Sequence, residues 1–366
     1  MEVARGVMTY LGRKGAFGAL VGALLLSGCT EKPRVLRLYT WTEEFSPQVI
    51  AAFERKYGCV VKVEFYDSNE AMVERLRTDG PDCCDLAEPS SYMISQLAQE
   101  GLIVPIDHTK CPSVKRNFSR KFLKVIPEDP ELKYAVPYNV SASGFFFATN
   151  GIPQGAAVDS WAILGHPALK GRLVLLDDMR EVIGAGLMSL GYSVNTEDAG
   201  EIDAAVAQVL KWIPNVDHWD SDDSREAIRD GNATLALAYS GLVIPFIRGD
   251  GDEPARPDLA FSCPKEGYVL SCEEFVVTAG CGEPDLAHAF LEFLYADPAN
   301  GRANMDHLCS LFPSAPAIEG LDSEFRKLVE PSSEILARGQ VLEGFYGKPE
   351  VQVLYERAWE RIVKER

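Results

Sequence analysis

Four short clusters carry the residue types that could do chemistry: Trp41-Thr42-Glu43, Ser90-Ser91-Tyr92, Asp177-Asp178 and Tyr239-Ser240-Gly241. Each follows a segment that reads as a β-strand. Carboxylates, hydroxyls and aromatic rings just beyond strand ends suit a cleft for a polar organic ligand. Carboxylates give a cation charge-assisted hydrogen bonds, and a ring face attracts the same cation. Each cluster also has a plainer reading. Asp178 with Glu181 three residues on fits a capping box at a helix start, which needs no ligand. Trp41 and Tyr92, taken alone, read as core aromatics, and Glu43 as a solvated charge.

Nothing in the chain points to covalent catalysis. His108, His166, His218, His288 and His307 are scattered, without a His-Glu-x-x-His pair. There is no Gly-x-Ser-x-Gly elbow and no phosphate-cradling glycine loop. The expectation is a protein that is not an enzyme, with no cofactor and no metal site. The acidic run of Asp217, Asp220, Asp222 and Asp223 lacks the central Gly and final bidentate Glu of a calcium loop, and reads as a solvated loop. The net charge of −18 speaks against nucleic acid as a partner, since phosphate neutralisation needs clustered Lys and Arg.

The elements that must position these clusters follow from periodicity. A chain of 366 residues exceeds one small core and predicts two lobes. Val35 to Tyr39 and Val60 to Tyr66 read as strands. Between them Val49, Ile50, Phe53 and Tyr57 recur at helical spacing. Met72, Val73 and Leu76, then Ile94, Leu97 and Ala98, predict further helices. The pattern restarts with a strand at Leu173 to Leu176, helices to Leu190 and over Ile202 to Trp212, and a strand at Leu235 to Tyr239. Strand–helix alternation of this kind implies a parallel sheet covered by helices. Ser143 to Phe147 and Glu274 to Val277 read as connectors between the two α/β regions. Helices at Ala287 to Tyr295 and Tyr355 to Lys364 complete the chain.

Residues 1–28 read as a signal peptide. Arg5, Arg13 and Lys14 form a positive start, and Ala16 to Leu26 an apolar run too short to span a bilayer. Leu26-Ser27-Gly28-Cys29 resembles the lipobox of bacterial lipoproteins. Cys29 is then the lipidation site and residues 29–33 a tether, leaving the protein on a bacterial membrane, in the periplasm or at the cell surface, through acyl chains only. The other cysteines, Cys59, Cys83, Cys84, Cys111, Cys263, Cys272, Cys281 and Cys309, lack a Cys-x-x-Cys spacing. Disulfides and buried thiols both remain open for them.

In order along the chain, several segments resemble the periplasmic spermidine/putrescine-binding proteins of bacterial ABC importers. These are Leu38-Tyr39-Thr40-Trp41-Thr42-Glu43, Ser68-Asn69-Glu70, Pro89-Ser90-Ser91-Tyr92, Tyr134-Ala135-Val136-Pro137-Tyr138, Ser160 to Leu164, Asp177 to Val182, Leu190 to Thr196 and Pro264-Lys265-Glu266-Gly267. The resemblance implies an α/β, two-lobed periplasmic-binding-protein (Venus flytrap) fold, class II-like, with discontinuous lobes joined by crossing strands. Lobe 1 would hold residues 34–141 and 274–320, lobe 2 residues 142–273 and 321–366. It implies a monomeric receptor that captures a polyamine and delivers it to an ABC permease. Ligand contacts carry over onto Trp41, Thr42, Glu43, Ser90, Tyr92, Asp178, Glu181, Tyr239 and Glu273, the last two by position. The alternatives are a different small cationic amine, or a surface sensor or adhesin of this fold.

The sequence departs from that pattern at named positions. Glu44 and then Phe45 follow Glu43, where the family has an aromatic at once. Tyr239 and Ser271 stand where Trp is usual, and Glu273 stands for Asp. Loss of a ring at Ser271 removes one wall of the expected site, unless Phe45, Tyr268 or Phe312 replaces it.

Overall fold

Alternating burial sets the first strand pair. In the computed structural model, which describes residues 33–42, 45–66, 68–80, 83–221, 224–249 and 254–366, β1 (Arg34–Thr40) buries Leu36 and Leu38. It pairs in parallel with β2 (Cys59–Phe65), from Arg34 opposite Cys59 to Thr40 opposite Phe65. The helix Pro47–Tyr57 links them and buries Val49 and Phe53. It ends at Gly58, whose φ of 60° is the left-handed conformation that a helix C-terminus favours in glycine.

The strands that follow are β3 (Leu86–Ala87), β4 (Ile103–Val104), β5 (Ala135–Ala148), β6 (Leu173–Leu175), β7 (Val216–Trp219), β8 (Leu235–Tyr239), β9 (Leu259–Ser262), β10 (Tyr268–Thr278) and β11 (Gly339–Val341). The sheet runs β2-β1-β3-β10-β5-β8-β6-β7, with β4 and β11 on β10 and β9 on β5. The pairs at its two ends are parallel, and the central ones antiparallel.

The long strand β5 divides this sheet into two lobes. Its first half, through Ala142, pairs with β10; from Ser143 it pairs with β8 and β9. The core changes at the same point. Val136, Tyr138 and Val140 pack with Leu36, Phe53, Phe275 and Phe290, whereas Phe145 and Phe147 pack with Trp161, Val209 and Trp212. Strand β10 lies along the boundary: Val269 packs in the second cluster, whereas its neighbours Tyr268 and Leu270, with Phe275 and Val277, pack in the first. Of the two connectors read from the sequence, Ser143 to Phe147 is the second half of the crossing strand β5, whereas Glu274 to Val277 pairs with β3, β4 and the start of β5 within the first lobe. At the crossing only glycine fits, because a Cβ on Gly144 would lie 2.6 Å from the Ser262 carbonyl.

Residues 321–338 were expected with the second region. Their buried side chains, Phe325, Val329 and Leu336, pack instead in the first cluster, while Val351, Tyr355 and Ile362 join the second. The helix Ser323–Val329 has too few apolar residues for its sequence to show which lobe it faces. Among the described residues no helix is long and apolar enough to cross a membrane. The signal segment 1–28, Cys29 and all of the tether except Pro33 lie outside the described residues.

Candidate functional site

Residues from all four strand-end clusters come together between the two halves of the sheet. On the β1 side, Trp41 is half-buried and packs its ring on Tyr66 at 4.5 Å between centroids. Among the described residues its buried Nε1 has no hydrogen-bond partner, an aromatic donor held ready at the site. Thr42 is exposed, and Glu43 lies outside the described residues.

The segment after β3 is held by one buried side chain. Asn69, the first residue of the helix Asn69–Thr78, donates through Nδ2 to Ser90 Oγ at 2.9 Å and to Tyr92 Oη at 2.8 Å. Its Oδ1 accepts from the Ser90 backbone N–H at 3.1 Å. Sequence reasoning did not assign Asn69 a role. The signals were its place at the start of a helix after a strand and its membership of the Ser68-Asn69-Glu70 segment that resembles the family. Ser90 in turn bridges Glu273 on β10, and the Glu274 N–H donates to the Pro89 carbonyl at 2.9 Å. A register shift between Glu273 and Glu274 at this point turns the strand, as bulges do beside sites.

From the other lobe come Asp178, Glu181 and Tyr239. Asp178 caps the helix Met179–Ser189, its Oδ1 accepting from the Glu181 N–H at 2.9 Å. The capping reading therefore holds for Asp178, and it leaves that carboxylate's other oxygen for a second role. The reciprocal Glu181 bond of a full capping box is absent from its partners, because the Glu181 carboxylate turns inward. It is 6% exposed and takes a hydrogen bond from Ser143 on β5. Burial first, and then the Asp178 charge, push Glu181 up to about 8. Arg180, between them, offsets this only in part. Its guanidinium stacks on Phe345 at 4.3 Å and donates to the Glu343 carbonyl and to Asn195 Oδ1.

The electrostatics tie both sides into one site. Burial, then Asp178, Glu181, Tyr92 and Glu273, raise the Tyr239 phenol well above its ordinary value. Burial, then Glu70, Glu273 and Asp178, raise Tyr92. The structure therefore brings Ser90, Tyr92, Asp178, Glu181, Tyr239 and Glu273 within one negative field, with Trp41 beside Tyr66 at its β1 edge. Such an arrangement draws in a cation and flanks its carbon chain with rings.

The suggested replacements for the missing wall are elsewhere. Phe45, Tyr268 and Phe312 are all core residues of the first cluster. Ser271 is half-buried and its hydroxyl meets that of Ser141 at 2.7 Å, so a polar pair occupies the wall position. Among the described residues there is no group of three side chains able to hold a metal ion. Of the cysteines, Cys59, Cys83, Cys84, Cys111, Cys263, Cys272 and Cys281 are free thiols.

Residues 48–326 match the family of bacterial extracellular solute-binding proteins. The spermidine/putrescine-binding periplasmic protein of Salmonella typhimurium is 32% identical over 71% of this chain and 72% of its own. Among solved structures, a putative spermidine/putrescine ABC transporter protein from Listeria monocytogenes superposes with a TM-score of 0.78 at 28% identity, covering 89% of this chain and 99% of that one. The TpPotD lipoprotein of Treponema pallidum gives 0.77 at 28% identity, over 90% and 99%. With a family model that spans most of the chain and a relative 32% identical over 71% of it, the chain belongs to the bacterial extracellular solute-binding protein family.

Proposed function

We propose that this protein is the polyamine-capturing receptor of an ABC importer. It binds spermidine or putrescine between its lobes and presents the closed, loaded form to the permease as a monomer. The observation that carries this reading is the convergence of the Asp178, Glu181 and Glu273 carboxyl groups on Tyr239, with Tyr92 beside them. A linear polyamine is a flexible cation whose charges are spaced by methylenes. It needs separated carboxylates and aromatic walls between them, and Trp41, Thr42, Glu43 and Ser90 complete that set. The relatives named for spermidine and putrescine support the ligand class. The lobes are taken as residues 34–141, 274–320 and 321–338 for the first, and 142–273 and 342–366 for the second. Carboxylates contributed from both sides favour the closed form when a cation bridges them.

Calorimetry against spermidine, putrescine, monoamines and amino acids tests the reading. The polyamines should bind at least about tenfold more tightly than a monoamine, the worth of one further charge-assisted bond. Heat from an amino acid with none from either polyamine would overturn it.

Ser271 supplies a prediction on specificity. Ser271→Trp restores a ring against the methylene chain and should tighten polyamine binding by about 0.5–2 kcal/mol. It also leaves the Ser141 hydroxyl without its partner. Weaker binding with an unaltered melting temperature would show an overfilled cleft instead of a missing wall.

The anchor belongs to the same proposal, and a structural neighbour named as a lipoprotein supports it. Acylation at Cys29 would place the receptor at the membrane beside its permease. In cells fed a labelled fatty acid, Cys29→Ser should abolish label on this protein; label that persists on the variant rejects Cys29 as the acyl acceptor.

A further inference from the structure

We propose that Cys83 and Cys84 form a reversible vicinal disulfide, a redox modification site on the segment that leads into β3. The two sulfurs lie 3.9 Å apart and share a hydrogen bond, so a local adjustment of side chains and backbone suffices to bring them to bonding distance. Cys83 is half-buried and open to a small reagent, while Cys84 is buried behind it. That is the arrangement of an attacking and a resolving thiol.

The surroundings favour attack at Cys83. The hydrogen bond to Cys84 and the positive charges of Arg75 and Arg37 outweigh burial and Asp79, and bring the Cys83 thiol down to about 7. Cys84 is pushed up by its bond to Cys83 and by burial, so one thiolate forms and the second proton is held. Thiolates, not thiols, carry out exchange.

The reaction balances with a low-molecular-weight disulfide as oxidant. The Cys83 thiolate attacks one sulfur of that disulfide, forms a mixed disulfide and expels a thiolate. Cys84 then gives up its proton to the medium and attacks the Cys83 sulfur, expelling the second thiolate. Two protein thiols are oxidised by two electrons, and the reagent is reduced to two thiols. Adjacent Cα atoms are held about 3.8 Å apart by a trans peptide, below the usual span of a disulfide. The ring is therefore strained and easily reduced, which suits a switchable bond and not a structural one.

The ring would close beneath the ligand site. Cys83 and Cys84 pack in the same apolar cluster as Tyr39, Tyr66, Trp41 and Tyr92. The Cys84 carbonyl accepts from the Thr278 hydroxyl at 2.6 Å, which fixes this residue to β10.

The test treats the full chain with oxidised glutathione, blocks remaining thiols with iodoacetamide and maps the peptides by mass. The peptide holding Cys83 and Cys84 should be two hydrogens lighter, carry no label and regain both labels after a phosphine reductant. Cys84→Ser should stop at a retained glutathione on Cys83, and Cys83→Ser should slow oxidation at this peptide about tenfold or more. Full alkylation of both residues in the treated wild type, while the half-buried Cys263 or Cys281 is oxidised, would overturn the proposal. So would a glutathione that stays on Cys83 with Cys84 present.

Discussion

Glu181→Gln should weaken spermidine or putrescine binding by about 1.5–3 kcal/mol, the scale of a hydrogen bond to a charged group. In affinity that is about ten- to more than a hundredfold. The reason lies in the burial of Glu181 beside Asp178, with Arg180 directed away. An ammonium group supplies the directly bonded positive partner that Arg180, stacked on Phe345, does not provide. Glutamine keeps the shape and the bond to Ser143 but carries no charge. Asp178→Asn should weaken binding too, while an amide oxygen can still cap the helix.

The same residue sets a pH dependence, and its sign follows from the direction of the shift. In the empty site Glu181 titrates at about 8, above its ordinary value. A bound cation favours the charged form and lowers that value. Binding below pH 8 therefore releases a proton, and affinity should fall with acid by up to about tenfold per pH unit. Above pH 8 it should level off. A raised folded-state value also means stability that is complete below the unfolded value and lost as pH rises through about 8. The melting temperature of unliganded Glu181→Gln should gain on the wild type between pH 5 and pH 8.5. Calorimetry in buffers of unlike ionisation enthalpy counts the proton; equal heats in all buffers at pH 7 would reject a titrating Glu181.

What the sequence revealed follows the physics of short-range and long-range information. The strands at Val35, Val60, Leu173 and Leu235 and the helices at Val49 and Ile202 announce themselves through local periodicity. The strand-end clusters are legible for the same reason, because a ligand site on an α/β sheet must sit there. Partnerships are not local. Asn69 holds Ser90 and Tyr92 from the first residue of a helix 21 and 23 positions earlier in the chain, a pairing that no local periodicity shows. Arg180 sits in an acidic motif, yet its guanidinium stacks on Phe345, far along the chain, and bonds to Asn195. The fate of residues 321–338 was hidden likewise, since two lobes can offer equally apolar surfaces to a short helix. Phe45, Tyr268 and Phe312 were reasonable wall candidates by type, and only packing shows them to be core.

The largest loss of stability is expected at a residue outside the site. Asp85 is fully buried, at the start of β3, and gathers five donors. Its oxygens accept from the Arg37 N–H at 2.8 Å, from Arg37 Nε at 3.1 Å and Nη2 at 3.0 Å, and from the Gly282 and Glu283 N–H groups at 2.9 and 3.3 Å. One carboxylate thus joins β1 to the turn that opens the helix Pro284–Ala296. Burial alone would push Asp85 up, but the Arg37 guanidinium and these backbone donors outweigh it and hold it below its ordinary value. Asp85→Ala should cost about 3–5 kcal/mol, the range for removing one partner of a buried pair. Most of that is the penalty for donors left unmet in the interior, since Arg37 is itself about one-third exposed and keeps some solvation. A depressed folded-state value gives stability that is present above the unfolded value and lost as pH falls through the folded one. The gap between wild type and variant in urea should therefore be widest near pH 7 and shrink toward pH 2. A double-mutant cycle with Arg37→Ala separates the ion pair from the backbone bonds. A total loss below about 1 kcal/mol at pH 7 would place Asp85 with ordinary surface pairs and reject its role as the tie between these elements.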